Sequence, residues 1–345
     1  MNKAIKYRIY PNSDQKILLE KTFGCCRFIW NQMLSDKQEY YKKHRKSKIF
    51  TPAMYKDANP WLKEVDSLAL ANVQMHLETA YKSYFKKKSK YPKFKSKHRS
   101  KKSYTTNYVN NNIKIIDNKI KLPKLGYVKI NIHKEIPTDW ILKSVTVSED
   151  GVGKYFVSML FEFDSKIELV DKTKPDFNIL GLDYKSDRLY CDSEGNVANM
   201  PKFYQRSQEK LSNAQRKLSK KKSSKYKKSN NYLKQLNKVN KIHKKITNQR
   251  LDYLHKLSTQ IANEYDMVAV EDIDMKNISN SKFHNGKATM NNGYGMFRTM
   301  LKYKLEDRGK YYIEVDRFYP SSQLCSRCSS KHKLMLNERI YKRRI

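Results

Sequence analysis

Apolar and polar positions alternate strictly over residues 4–10, placing Ile5, Tyr7 and Ile9 on one face of a strand and Lys6 and Arg8 on the other. Pro11 and Asn12 end that strand. Asn12 or Ser13 can then cap a helix that carries Ile17, Leu18, Phe23, Phe28, Ile29 and Met33 at helical spacing. A polar, proline-containing stretch over residues 51–60 leads to a second helix from about Ser67, where Leu70, Val73, Leu77, Tyr81 and Tyr84 recur at three and four residues. From Tyr104 to Phe163 the period changes. Short β-rich runs at 113–116, 127–132, 144–147 and 155–163 are separated by turn signals, which predicts a small antiparallel barrel that also takes in the first strand.

A linker over 164–176 precedes Ile179-Leu180-Gly181-Leu182-Asp183, a buried-looking strand that ends in a carboxylate. A second strand region, 188–198, turns at Ser193-Glu194-Gly195. A long helical region over 205–265, interrupted by the polar stretch 219–231, carries a stripe of Leu233, Leu236, Val239, Ile242, Ile246, Leu254, Leu257 and Ile261. Met267-Val268-Ala269-Val270-Glu271-Asp272 again delivers an acid at the end of an apolar strand. A Gly/Asn-rich loop with His284, a helix near 297–308 and a strand at 311–315 follow.

Charge changes the picture. The 345 residues hold 72 Lys and Arg against 34 Asp and Glu, a formal net charge of +38, and such self-repulsion is tolerated with a polyanion as partner. The basic residues are clustered. From Lys86 to Lys102 ten of seventeen residues are Lys or Arg and none is acidic, with Tyr91 and Phe94 interleaved; between Arg206 and Arg250 sixteen are basic and one, Glu209, is acidic. Phosphate contact with base stacking suits such runs, and the candidates for backbone contact are Lys93, Lys95, Lys97, Arg99, Lys101, Lys102, Arg216, Lys217, Lys220, Lys221, Lys245 and Arg250. No helix-turn-helix, RRM or zinc-finger signature reads bases at an evident position, so sequence specificity, if any, must come from elsewhere; a guide RNA would supply it by base pairing. No signal peptide and no apolar run near 18 residues occurs, and the five cysteines are an odd number, so no membrane contact and a cytoplasmic location are expected. Nothing in the pattern specifies an oligomeric state.

Asp183 and Glu271, each at the end of an apolar strand, are the type of hard oxygen ligands that a Mg²⁺-dependent hydrolase uses, although an acid in that place is also common without a metal. Asp187, Asp192, Asp272 and Asp274 lie close in sequence but suit turns or solvent better. Cys325-x-x-Cys328 is half of a tetrahedral zinc site, and zinc is not expected there.

Lys3 to Tyr10 with Pro11, Thr22-Phe23-Gly24-Cys25-Cys26-Arg27-Phe28 and Trp30-Asn31 resemble the start of TnpB proteins, the transposon-encoded RNA-guided nucleases. Ordered likenesses continue through Pro92-Lys93-Phe94-Lys95-Ser96-Lys97, 144–148, 153–158, 211–218, Asn248-Gln249-Arg250, 254–258, Val270-Glu271-Asp272 and Tyr319 to Cys328, essentially the whole chain. The resemblance implies an α+β multidomain protein. Its parts would be a wedge β-barrel (1–12 and 99–170), a helical recognition lobe (13–98), an RNase H-like RuvC domain (171–316) and the remnant of a zinc ribbon in a truncated C-terminus (317–345).

By the same resemblance Asp183 and Glu271 are the first and second catalytic acids, and Thr51, Tyr55, Ser67 and Asn72 are candidates for reading a short flanking motif on double-stranded target DNA. The pattern departs from active members at Lys185, where a glycine is usual, and in lacking a second cysteine pair and the third catalytic aspartate. These departures are similar to the TldR group of nuclease-dead repressors. They lead to the expectation of a guide-directed DNA-binding transcriptional repressor that is not an enzyme and uses no catalytic Mg²⁺. The alternatives are an active RNA-guided endonuclease represented by a truncated chain, and a guide-independent RNA-binding protein.

Overall fold

The computed structural model describes residues 1–97, 99–164, 167–221, 229–278, 291–320, 323–324 and 330–331. The chain divides into two compact units, Met1–Ser165 and Lys166–Ile345.

In the first unit, β1 (Asn2–Tyr10) is the centre of a seven-stranded antiparallel sheet. Ile5, Tyr7 and Ile9 are buried as the alternation requires. Asn12, not Ser13, caps α1 (Ser13–His44): its side chain accepts from the Gln15 N–H while the Gln15 side chain accepts from the Asn12 N–H. Two 3₁₀ turns, Pro52–Tyr55 and Pro60–Glu64, lead to α2 (Ser67–Phe85), which Asp66 caps through the Leu68 N–H. The remaining strands are β2 (Ser103–Asn107), β3 (Lys114–Ile116), β4 (Lys119–Leu122), β5 (Gly126–Asn131), β6 (Ile141–Glu149) and β7 (Tyr155–Glu162), in the spatial order β2-β6-β7-β1-β5-β4-β3. The sheet curls into a half-barrel. Leu19, Phe23, Ile29 and Met33 of α1 and Leu70 and Leu77 of α2 share one core with Ile5, Val145 and Val157 of the sheet.

In the second unit β8 (Ile179–Tyr184), β11 (Met267–Glu271) and β12 (Tyr311–Val315) are parallel neighbours, and the hairpin β9 (Tyr190–Asp192) and β10 (Val197–Ala198) extends the sheet antiparallel, giving the order β10-β9-β8-β11-β12. The turn of that hairpin is closed by Asp192 Oδ1, which accepts from the Glu194 and Asn196 N–H groups, with Gly195 at φ +87°. Between β10 and β11 lie α3 (Phe203–Lys220) and α4 (Asn230–Glu264); α5 (Met275–Ile278) and α6 (Tyr294–Glu306) follow β11. Leu254 and Ile261 of α4, Phe297, Leu301 and Leu305 of α6 and Leu180, Leu182, Val268 and Val270 of the strands form its core.

The stripe predicted for α4 holds in its second half and shifts in its first. Leu233 is exposed, whereas Gln235 is buried and its Nε2 donates to the Ala214 carbonyl of α3. Part of the segment read as a linker is docked on this unit: the Val170 N–H donates to the Gly309 carbonyl, and Tyr311 Oη donates to the Val170 carbonyl. Gly309, at φ +68°, permits this approach, since a Cβ there would stand 2.0 Å from the Glu168 carbonyl oxygen. Among the described residues no helix is long and apolar enough to cross a membrane.

Candidate functional site

The parallel register of β8 and β11, Val270 opposite Leu182, puts Asp183 and Glu271 one step further along adjacent strands. Leu180, Leu182, Val268 and Val270 point into the core, so by the pleat both acids stand on the opposite face at the carboxyl ends of the strands. In open sheets of this kind that edge is where ligands bind. Glu271 is half-buried, and burial together with the negative charge of Asp183 raises its carboxyl above the usual range. Lys185 places Nζ 3.2 Å from Asp183 Oδ2, with both side chains well exposed.

This donor set fits a hard divalent cation in part. Two adjacent carboxylates, one of them perturbed by the other, call for a positive charge between them. The neighbouring acids are committed elsewhere. Asp272 lies 2.8 Å from Arg317 Nη2 and 3.5 Å from Arg298 Nη2, and Arg298 also reaches Glu314 at 2.9 Å. Asp187 pairs with Arg188, and Asp274 Oδ1 accepts from the Asn277 N–H. Among the described residues no three His, Cys, Asp or Glu side chains converge on one metal position. Cys325, Cys328 and His284 lie outside the described residues.

Two further features of the site carry no signal in the sequence pattern. Tyr294 is wholly buried, its hydroxyl meets no partner among the described residues, and its ring packs 4.9 Å from that of Tyr184 beside Asp183. Asn292 Nδ2 donates to the carbonyls of Lys185 and Ser186, tying down the segment that follows Asp183.

The basic candidates fall into two kinds. Lys93, Lys97, Arg99, Lys101, Arg216, Lys217, Lys220, Lys221 and Lys245 are exposed. Lys95 and Lys102 are engaged within the protein. The Lys95 backbone exchanges two hydrogen bonds with the Asn31 side chain, and its ammonium lies 3.7 Å from the Trp30 ring centre, where burial lowers its pKa. Lys102 is 2.5 Å from Glu20 and 2.7 Å from Glu149. Arg250 is half-buried. Of the flanking-motif candidates, Asn72 is buried and donates to the Leu68 carbonyl and to Asn107 Oδ1, and Tyr55 donates to Asp36 Oδ2. Thr51 is half-buried, and Ser67 is exposed with its hydroxyl accepting from Lys56.

Residues 158–282 match a family model described as a probable transposase of the IS605 OrfB type, and residues 294–344 match a Cas12f1-like TNB domain. Residues 1–46 match a model described as a helix-turn-helix domain, a signature absent from the sequence reading; here they form strand β1 followed by the single long helix α1.

A putative RNA-guided DNA endonuclease of Streptomyces pristinaespiralis is 32% identical over 98% of this chain and 84% of its own length. The putative RNA-guided DNA endonuclease InsQ of Escherichia coli is 28% identical over 96% of this chain and 84% of its own. In fold the chain is similar to a protein from the cryo-EM structure of a Cas12f1–sgRNA–target DNA complex, with a TM-score of 0.53, 12% identity and coverage of 96% of this chain and 92% of that one. These relatives overturn the expectation that the chain is not an enzyme: proteins alike over nearly its full length are named endonucleases. With its mixed α+β architecture and acid-bearing RuvC-like sheet, the chain belongs to the TnpB family of IS605 OrfB-type proteins.

Proposed function

We propose that this protein is an RNA-guided DNA endonuclease: guide RNA held by its basic surfaces directs it to double-stranded DNA, and the Asp183–Glu271 pair is the centre of cleavage. The observation that carries the reading is the placement of these two acids side by side at the carboxyl ends of β8 and β11. A divalent cation bound there would supply Lewis-acid stabilisation of charge developing on a phosphodiester. The chain's own part is to hold two oxygen donors on rigid strand ends, with Asn292 fixing the adjoining backbone. The exposed lysines and arginines give a strongly salt-dependent affinity for phosphate backbones, and base pairing with the guide gives sequence. Thr51 and Ser67 are the better placed of the four flanking-motif candidates, because Asn72 and Tyr55 spend their polar atoms inside the fold.

The test is a paired assay on one target DNA with guide RNA and Mg²⁺. Guide-dependent cleavage is expected in the wild type and is lost in Asp183→Ala and Glu271→Ala, while binding stays within a few-fold. Cleavage that survives Asp183→Ala, or binding that ignores the guide, would overturn the proposal. Occupancy of a promoter by the same complex would also repress transcription, with or without cleavage. A reporter repressed by a promoter-directed guide with Asp183→Ala, and not by a scrambled guide, tests that second role.

A further inference from the structure

Helix α2 ends in a closed turn that carries both charge and rings. The Lys88 N–H donates to the Ser83 carbonyl and the Lys87 N–H to the Tyr84 carbonyl, the paired bonds of a helix stopped by a left-handed residue. That residue is Lys87, at φ +55°, where glycine is the usual occupant and an L side chain carries strain. The reversal brings Tyr91 back onto the helix end. Its ring makes edge contacts with those of Tyr81 and Tyr84, centroids 5.6 and 5.1 Å away, and its hydroxyl is 3.0 Å from that of Tyr81. Phe85 lies 5.4 Å from Tyr84 and 6.3 Å from Tyr81, so the four rings are contiguous. Beyond Tyr91 the chain is pinned to α1: Pro92 is buried, Trp30 Nε1 donates to the Lys93 carbonyl at 3.0 Å, and Asn31 exchanges two hydrogen bonds with the Lys95 backbone. The fold itself holds the rings in place.

The cluster is nevertheless open to solvent. Phe85 is 73% exposed, with Tyr84 and Tyr91 exposed beside it, and such rings forgo the burial that most aromatic side chains find. Charge decides what suits them. Lys82, Lys86, Lys87, Lys88, Lys90 and Lys93 are exposed in the same turn and the segment after it, and none pairs with a carboxylate among the described residues; Glu78, one turn earlier, is taken by Lys37. A protein partner would have to settle among these uncompensated ammonium groups, and lysine is depleted in protein interfaces. Duplex DNA offers phosphates but keeps its base faces stacked inside. An unpaired nucleotide offers both a base face for a ring and a phosphate for an ammonium.

We infer that Tyr84, Phe85 and Tyr91 form a stacking surface for unpaired bases of RNA, with lysines of the turn on the flanking phosphates. RNA is the ligand because, in the RNA-guided reading above, the guide is the strand with unpaired bases before any target is met; for its ligand the inference rests on that reading. Backbone contact alone holds any polyanion, whereas ring stacking sorts unpaired from paired segments and so selects which part of a guide sits here. Lys87 keeps its charge at a strained position that glycine would occupy at less cost, which fits a turn that serves a ligand.

The full chain would be titrated, by fluorescence anisotropy, with an unstructured RNA of alternating A and C, an RNA hairpin of equal length, and the unstructured sequence as DNA. Phe85→Ala is expected to weaken binding of the unstructured RNA about five- to tenfold, to leave the hairpin within about twofold and to leave the salt dependence unchanged, because a base contact releases no counterion. Phe85→Trp restores binding. Thermal melting of both variants should match the wild type, since the side chain stands largely in water. Lys87→Gly should behave differently, melting higher while flattening the slope of log affinity against log salt by about 0.7.

No loss in Phe85→Ala, or equal losses on hairpin and unstructured RNA, would overturn the stacking surface, and a larger loss on DNA than on RNA would overturn the choice of RNA. An effect seen only in sedimentation with phosphatidylserine and phosphatidylcholine vesicles would make the cluster a membrane-facing patch and sink the inference. Guide-dependent cleavage by a chain that shows none of these differences would remove the stacking surface and leave the nuclease reading standing. The differences without guide-dependent cleavage would do the reverse.

Discussion

Lys185 stands where active relatives are expected to have glycine, and its ammonium is 3.2 Å from Asp183. Whether it disables the centre is a question of magnitude. The lysine side chain is 46% exposed and that of Asp183 61%, so the pair is a surface ion pair. Such pairs are worth about 0.2–1 kcal/mol net, because water screens them and two flexible side chains lose freedom. At 1.4 kcal/mol per factor of ten, displacing the ammonium costs an incoming divalent cation no more than about fivefold in affinity. That is too small to switch a nuclease off.

Lys185→Gly should therefore lower the Mg²⁺ concentration giving half-maximal cleavage by about two- to fivefold and leave the maximal rate within about threefold. Lys185→Ala separates loss of the ammonium from the added backbone freedom of glycine. The measurement is a Mg²⁺ titration of single-turnover cleavage by guide-loaded protein. A wild type with no cleavage at any Mg²⁺ concentration, rescued more than a hundredfold by Lys185→Gly, would refute the reasoning, because the lysine would then block the centre by more than an exposed pair can supply.

Three other outcomes follow from the packing and the charges. Lys37, 9% exposed between α1 and α2, lies 2.5 Å from Glu78 with the Tyr81 ring beneath it, so Glu78→Ala should cost about 2 kcal/mol in chemical denaturation and Lys37→Met distinctly less. Lys304, 8% exposed, donates to the His255 carbonyl, Ser258 Oγ and Thr259 Oγ1, and burial followed by repulsion from Arg308 lowers its pKa from 10.5 to about 8. Over that interval the unfolded chain binds more protons, so stability should rise as pH climbs from about 8 towards 10.5; in Lys304→Met, monitored by thermal melting, this rise should be missing and stability at pH 7 unchanged or up to about 1 kcal/mol higher. Finally, Mg²⁺ binding to the isolated protein by calorimetry should be weaker than to the guide–DNA complex, since phosphates remove the repulsion that a chain of charge +38 exerts on a cation; equal affinities would contradict that.

Much of this was legible in the chain because period carries it. β1 follows from the alternation of Ile5, Tyr7 and Ile9, α2 from Leu70, Val73 and Leu77, and β8 and β11 from apolar runs that end in an acid. What period does not carry was missed. β2, Ser-Tyr-Thr-Thr-Asn, packs Tyr104 and Thr106 inward with few apolar residues to signal it, and β4 is a four-residue strand with two lysines. On α4 the polar Gln235 is buried because α3 offers it a carbonyl, a partner 21 residues away that no local pattern announces. The function was read coarsely right from charge and resemblance. The expectation that the chain is not an enzyme rested on Lys185 together with the missing second cysteine pair and third aspartate, and relatives named endonucleases overturn it; Lys185 itself is an exposed partner of Asp183.

The acids themselves explain which of them can act. With so few carboxylates among so many cations, many are drawn into ion pairs, among them Asp266 with Lys174 and Lys310, Asp272 with Arg298 and Arg317, Glu78 with Lys37, and Glu20 and Glu149 with Lys102. A carboxylate whose oxygens are already met by a guanidinium fork has little left to give a metal, and replacing that fork costs the hydrogen bonds as well as the charge. Asp183 differs because its one cation among the described residues is an exposed lysine on a flexible stem, and Glu271 differs because what raises it is burial and another acid. The pair thus stays short of positive charge in a protein that has it in excess. In the function proposed above, a divalent ion arriving with a phosphate would supply that charge, so the same electrostatics that would draw DNA to the basic faces would leave the two acids open to it.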